Sequence, residues 1–127
     1  VISLRYVLCV GAEDLDLCEG DIQLTYADGT EQFLPLGETD EDPPLKGELV
    51  YKDDKGAICR KLNWREGDRT KITNDSKNAI VVVEGFSPLS REKLDEIMNE
   101  LAQLIQQYCK AETQIEVLSK EQTSIKF

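Results

Sequence analysis

From Ser90 onward the apolar residues fall into a helical rhythm. Leu94, Ile97, Leu101, Leu104, Ile105 and Tyr108 recur at spacings of three and four, which puts them on one stripe of an α-helix. Ser90 suits the N-cap, and Arg91, Glu92 and Lys93 fill the first turn. Asn99, Glu100, Gln103, Gln106 and Gln107 cover the remaining faces. A helix apolar on a single stripe is a core-packing helix, so the rest of the chain has to supply the surface it covers.

The rest reads as strands. Val1 to Val10 is an apolar run ending at Gly11, short enough to be a strand or a buried helix. Ile22, Leu24 and Tyr26 alternate before Asp28-Gly29 and Phe33 follows it, which predicts a hairpin over Asp21 to Leu36. Glu38 to Glu48, with Pro43-Pro44 and Gly47, predicts an exposed loop. A second strand-turn-strand unit surrounds Asp54-Lys55-Gly56. Ala79 to Val83 predicts a buried strand closed by Gly85, and Thr113 to Lys120 alternates as a last strand. The expected fold is α+β: a mainly antiparallel sheet, one long C-terminal helix packed on it, then a last strand. The 127 residues suffice for a single domain.

The chemistry is bounded by what is missing. There is no histidine, which excludes Ser-His and Cys-His mechanisms within these residues. Cys9, Cys18, Cys59 and Cys109 form no CxxC pair. No metal site and no cofactor are expected, and the cysteines read as free thiols of a cytoplasmic protein. The acidic run Glu38 to Asp42 lacks the ligand spacing of a calcium loop. No apolar run is long enough to span a membrane. A formal charge of −10 argues against non-specific DNA or RNA binding through the whole surface. A local patch stays open, because Cys59 to Thr73 gathers five basic residues (Arg60, Lys61, Arg65, Arg69 and Lys71) out of 15, together with the only tryptophan, Trp64.

That run has two readings. Its arginines suit bidentate phosphate or carboxylate recognition, and Trp64 suits stacking on a base. Alternatively it is a sheet edge and loop with internal ion pairs to Glu66 and Asp68. The Thr70, Thr73, Asn74, Ser76 and Asn78 set can orient a water or cap turns. Cys59 sits beside Arg60, which can lower a thiol pKa, whereas burial would raise it.

The order EGDIQLTYADGTEQFLPLG, then GELVYKDDKGAICRKLNWREGDRTKITNDSKNAIVVVEG, resembles the editing domain of the phenylalanyl-tRNA synthetase beta subunit, and most of all its free-standing relatives. The resemblance covers most of residues 1 to 110. It implies that the chain is the C-terminal part of a larger editing-type domain, which binds an aminoacylated tRNA 3′ end and hydrolyses mischarged amino acid by positioning water on the ester. On that reading Glu66, Asn63 and Thr70 are the catalytic candidates, and Arg60, Arg65, Arg69, Trp64 and Thr73 bind substrate or RNA. The family pattern places a histidine in the synthetase site, and this chain has none. The alternative is a non-catalytic RNA- or amino-acid-binding module with the same fold.

Overall fold

The computed structural model describes residues 7–126. In chain order the elements are β1 (Val7–Asp14), a short 3-10 turn (Leu15–Leu17), β2 (Gln23–Tyr26), β3 (Leu49–Lys52), β4 (Ala57–Arg60), β5 (Arg65–Glu66), β6 (Ala79–Phe86) and α1 (Arg91–Cys109). Strands β2-β3-β4-β5 form a four-stranded sheet whose neighbours are all antiparallel, and β1 pairs with β6. The fold is α+β, as the two periodicities predict. The chain divides into two compact units, one covering Leu8–Glu84 and the other including the residues from Gly85 onward.

In the first unit the β3–β4 hairpin forms around its predicted turn. The Asp53 carboxylate accepts the Lys55 and Gly56 N–H groups at 3.0 and 3.1 Å, and the Asp53 N–H reaches the Gly56 carbonyl at 3.1 Å. This is an Asx-type turn, in which the side chain imitates a backbone acceptor. Strand β4 is buried at all four positions. With Phe33, Val50 and Ala27 it makes the core.

The hairpin predicted over Asp21 to Leu36 does not form. Strand β2 pairs instead with β3, in the register Thr25↔Val50. The Asp28-Gly29 turn exists, with Gly29 at φ 92°, but the Glu31 carboxylate closes it by accepting the Asp28 and Gly29 N–H groups, each at 3.1 Å. The return run then crosses to the far end of the sheet, where Pro35 bridges Gly67 and the Leu36 N–H reaches the Glu66 carbonyl. Proline offers no N–H for a ladder, so the run touches the sheet at isolated points. Tyr26 is left 72% exposed. The acidic connection after it is a loop, though Pro44 within it is buried.

The apolar run at the N-terminus is a strand from Val7, and Val1–Tyr6 lie outside the described residues. Strand β6 matches the predicted Ala79–Val83 strand but extends to Phe86, and its side chains are half-buried at most.

In the second unit Ser90 caps α1, its side chain accepting the Lys93 N–H at 3.1 Å. Leu94, Ile97, Met98, Leu101 and Ile105 are half-buried and Ala102 is buried, while Leu104 and Tyr108 lie exposed on the flank of the stripe. The strand expected over Thr113 to Lys120 is absent. A strand needs a ladder partner, and among the described residues no neighbouring strand pairs with this segment.

Candidate active site

Sheet alternation sorts the Cys59–Thr73 run. In the register, Tyr51 lies opposite Cys59 and Cys59 opposite Glu66, whereas Val50 lies opposite Arg60 and Arg60 opposite Arg65. Directly opposed residues share a face and adjacent residues take opposite faces. Cys59 and Glu66 therefore point one way, and Arg60 and Arg65 the other. Between β4 and β5 the chain reverses through Lys61 and Leu62, at φ 50° and 63°. That reversal brings Asn63 back beside the strands it joins.

Strand β1 completes the acidic face. The Asp14 N–H donates to the Thr70 carbonyl at 2.8 Å, and Glu13 bridges Lys71. This carries the Glu13 carboxyl against Thr70, whose hydroxyl donates to Glu13 Oε2 at 2.5 Å. The Cys59 thiol lies 2.9 Å from Glu13 Oε1 and 3.1 Å from Glu66 Oε2. Glu13 is 5% exposed, Thr70 0% and Asn63 9%. Gly11, also on β1, faces this group without a side chain. A Cβ there would stand 2.5 Å from both Asn63 Oδ1 and Glu66 Oε1, so only glycine admits the two side chains so close to the backbone.

Burial pushes the Glu13 carboxyl from its ordinary 4.5 up to about 8, helped by its hydrogen bond to Glu66 and partly opposed by Cys59 and Thr70. Glu13 thus keeps its proton near neutrality while touching a second carboxyl, an arrangement that can give and take a proton. Burial, then the neighbouring carboxyls, drives the Cys59 thiol up as well. Cys59 is a weak thiol donor and not a nucleophile. The Asn63 Nδ2 group is buried with no hydrogen-bond partner among the described residues.

The structure thus brings together three of the predicted residues, Asn63, Glu66 and Thr70, and leaves the basic ones elsewhere. Arg60 is buried and bidentate on Glu48, at 2.7 Å through both Nε and Nη2, with Asp42 on its Nη1. Arg65 pairs with Glu38 at 2.6 Å. Arg69 is bidentate on Asp53 at 2.9 and 2.7 Å. Burial pushes the Asp53 carboxyl up, but Arg69 and the backbone N–H groups of Glu19 and Lys55 outweigh it and hold the carboxyl below its usual range. The run's arginines are internally paired, with carboxylates from outside the run and not with Glu66 and Asp68. Lys71 alone takes Asp68, at 2.8 Å. Thr73 is exposed and shapes a turn with Asp75 and Ser76. Trp64 stands 65% exposed with the Lys61 ammonium 5.0 Å from its ring centroid. A surface cleft of about 410 Å³ runs along the Asp28 and Asp54-Lys55-Gly56 turns, lined by Glu31, Lys52 and Asp53 among others, and does not include the acidic cluster.

The family model for the B3/4 domain matches residues 1–110. The chain belongs to the B3/4 domain family. A crystal structure of an N-terminal fragment of the phenylalanyl-tRNA synthetase beta-subunit from Pyrococcus horikoshii shares the fold, with a TM-score of 0.57 and 21% identity over 77% of this chain. The chain spans 34% of that fragment's length. No curated protein matches.

The residue that sequence reasoning missed in this B3/4 domain is Glu13. The available signal was a carboxylate two positions after Gly11, directly following an apolar strand-like run. A buried strand rarely carries a charge without a partner, and the partner here is a second carboxyl, Glu66.

Proposed function

We propose that this B3/4 domain is an editing-type domain, acting in the cytoplasm, that binds the aminoacylated end of a tRNA and hydrolyses a mischarged ester. The observation that carries the reading is the buried Glu13–Glu66 carboxyl pair with Asn63 and Thr70, in a member of this family. Water attacks the ester carbonyl carbon and passes its proton to Glu66. The unpartnered Asn63 Nδ2 donates to the carbonyl oxygen as charge develops there. Glu13 gives its proton to the departing ribose oxygen, and proton transfer from Glu66 restores the pair. Thr70 is a positioning residue, holding Glu13 through its hydroxyl. Lys61 and Trp64, in the turn that also carries Asn63, offer an exposed cation and ring for the terminal base.

Incubation with a panel of mischarged tRNAs tests this. Hydrolysis above the buffer rate is expected for at least one pair, lowered about 10²- to 10⁴-fold in Glu66→Gln. No acceleration for any pair would end the enzymatic reading. Gly11→Ala is expected to lower the same rate about 100-fold, because the new methyl group displaces Asn63 and Glu66 from the reacting geometry, and to lower the unfolding midpoint as well, because contacts at 2.5 Å in a buried place have to give. An unchanged rate would show that their approach to Gly11 is immaterial.

A non-catalytic binding module is favoured by one observation: the chain has no histidine, where the resemblance places one in the synthetase site. In that case RNA binding survives Glu66→Gln, and its salt dependence shows how many phosphates it engages.

A further inference from the structure

Glu13, Cys59 and Glu66 come from three different strands and converge on one buried spot. One ligand-type atom from each, two carboxylate oxygens and a sulfur, all lie within 4.8 Å of one another. The sulfur stands 2.9 and 3.1 Å from its two oxygen neighbours. In a tetrahedral zinc site the edge between a sulfur and an oxygen ligand is about 3.5 Å, from bonds of about 2.3 and 2.0 Å. The two sulfur–oxygen separations are thus about half an ångström short of that edge, and the donors have to part by that much to admit an ion.

A second observation is independent of the acidic groups. Asn63 is nine-tenths buried, and its Nδ2 has no partner among the described residues. Its carboxamide is tied to the cluster by Gly11: Asn63 Oδ1 and Glu66 Oε1 both approach to 2.5 Å of the point where a Gly11 Cβ would stand. A buried N–H donor without an acceptor is costly, and none of the described residues supplies one. A water or hydroxide on a metal ion would.

We propose that Glu13, Cys59 and Glu66 are the three protein ligands of a divalent transition-metal site, zinc by the chemistry of the donors, whose fourth position is a water accepting a hydrogen bond from Asn63. Three protein ligands and one open position is the pattern of a catalytic zinc. A thiolate among the donors selects against calcium and magnesium, which take oxygen ligands. The metal and the proton transfer proposed above use Glu13, Glu66 and Asn63 in exclusive states, so the zinc-bound chain does not run that hydrolysis, and the two are assayed separately, with and without chelator. A chain that binds zinc but cleaves no mischarged tRNA leaves the site standing and removes that reading, and the converse result does the reverse.

The test uses the full chain, stripped with chelator and titrated with Zn²⁺ and, separately, Co²⁺. One zinc per chain should survive desalting, and the cobalt form should show the intense charge-transfer absorption of a Co–thiolate bond. Cys59→Ser should abolish that absorption and weaken zinc binding at least 100-fold, and Glu13→Gln should weaken it at least tenfold, with Cys18→Ser as the control that retains both. Circular dichroism checks that each variant is folded. The wild-type cobalt spectrum needs no variant, so a misfolded substitution leaves the test intact. Zinc lost on desalting, cobalt bound without the thiolate band, or a folded Cys59→Ser that binds as tightly as wild type would each overturn the proposal.

Discussion

Arg60→Ala is expected to destabilise the protein by about 3–5 kcal/mol in urea unfolding, the range for removing one partner of a buried ion pair. The residue is 7% exposed and its guanidinium holds Glu48 through two charge-assisted hydrogen bonds at 2.7 Å, the Asp42 carbonyl at 2.8 Å and the Asp42 carboxylate at 2.6 Å. Its hydrogen bonds are the main reason the Glu48 carboxyl lies below its ordinary value. Truncation strands Glu48, whose side chain is almost as buried, and releases the Asp42 loop. The double variant Arg60→Met with Glu48→Leu should cost less than Arg60→Ala alone, because it leaves no buried charge unpaired. A loss below about 1 kcal/mol, the range of exposed pairs, would mean that Arg60 is available for a ligand after all, and would return the basic run to the status of an anion patch.

That outcome depends on a distinction the sequence does not contain. The Cys59–Thr73 run announces its positive charge, but the carboxylates that neutralise it are Glu48, Asp42, Glu38 and Asp53. Three of these lie in or beside the acidic loop that reads as solvated, and the fourth begins a turn. Charge is legible in a sequence; pairing across a sheet is not. The same limit explains the strands. The β3–β4 hairpin and the start of α1 are closed by residues within a few positions of each other, so Asp53-to-Gly56 and Ser90 identify them. Strand β2 closes on β3, more than twenty residues further on, and the nearer Asp28-Gly29 signal points to the wrong partner. In the site, Asn63, Glu66 and Thr70 stand out because one short segment carries them all. Glu13 enters from β1, 46 residues from Cys59 and 57 from Thr70, where no local pattern connects them.

Between about pH 5.5 and pH 8 the wild-type protein is expected to lose about 3 kcal/mol of stability, and Glu13→Gln to lose far less. Unfolded, the Glu13 carboxyl gives up its proton near 4.5; folded, it keeps the proton up to about 8. In the interval unfolding releases a proton, so stability declines as pH rises, by about 1.4 kcal/mol per unit for one proton. Below 4.5 both states are protonated and the contribution is fully present; above 8 both are ionised and the decline stops. The groups facing Glu13 are Glu66 from β5, the Cys59 thiol from β4 and the Thr70 hydroxyl. Glutamine keeps the shape and cannot ionise, so the variant's stability should stay nearly flat across the window and gain about 3 kcal/mol on wild type between pH 5.5 and pH 8. The sequence makes the measurement unusually clean, since with no histidine no imidazole titrates in this window. Denaturant unfolding of both proteins at the two pH values, in chelator-containing buffer, gives the comparison. Parallel pH profiles would mean that Glu13 is ionised at neutral pH, and would remove the proton donor from the proposed hydrolysis.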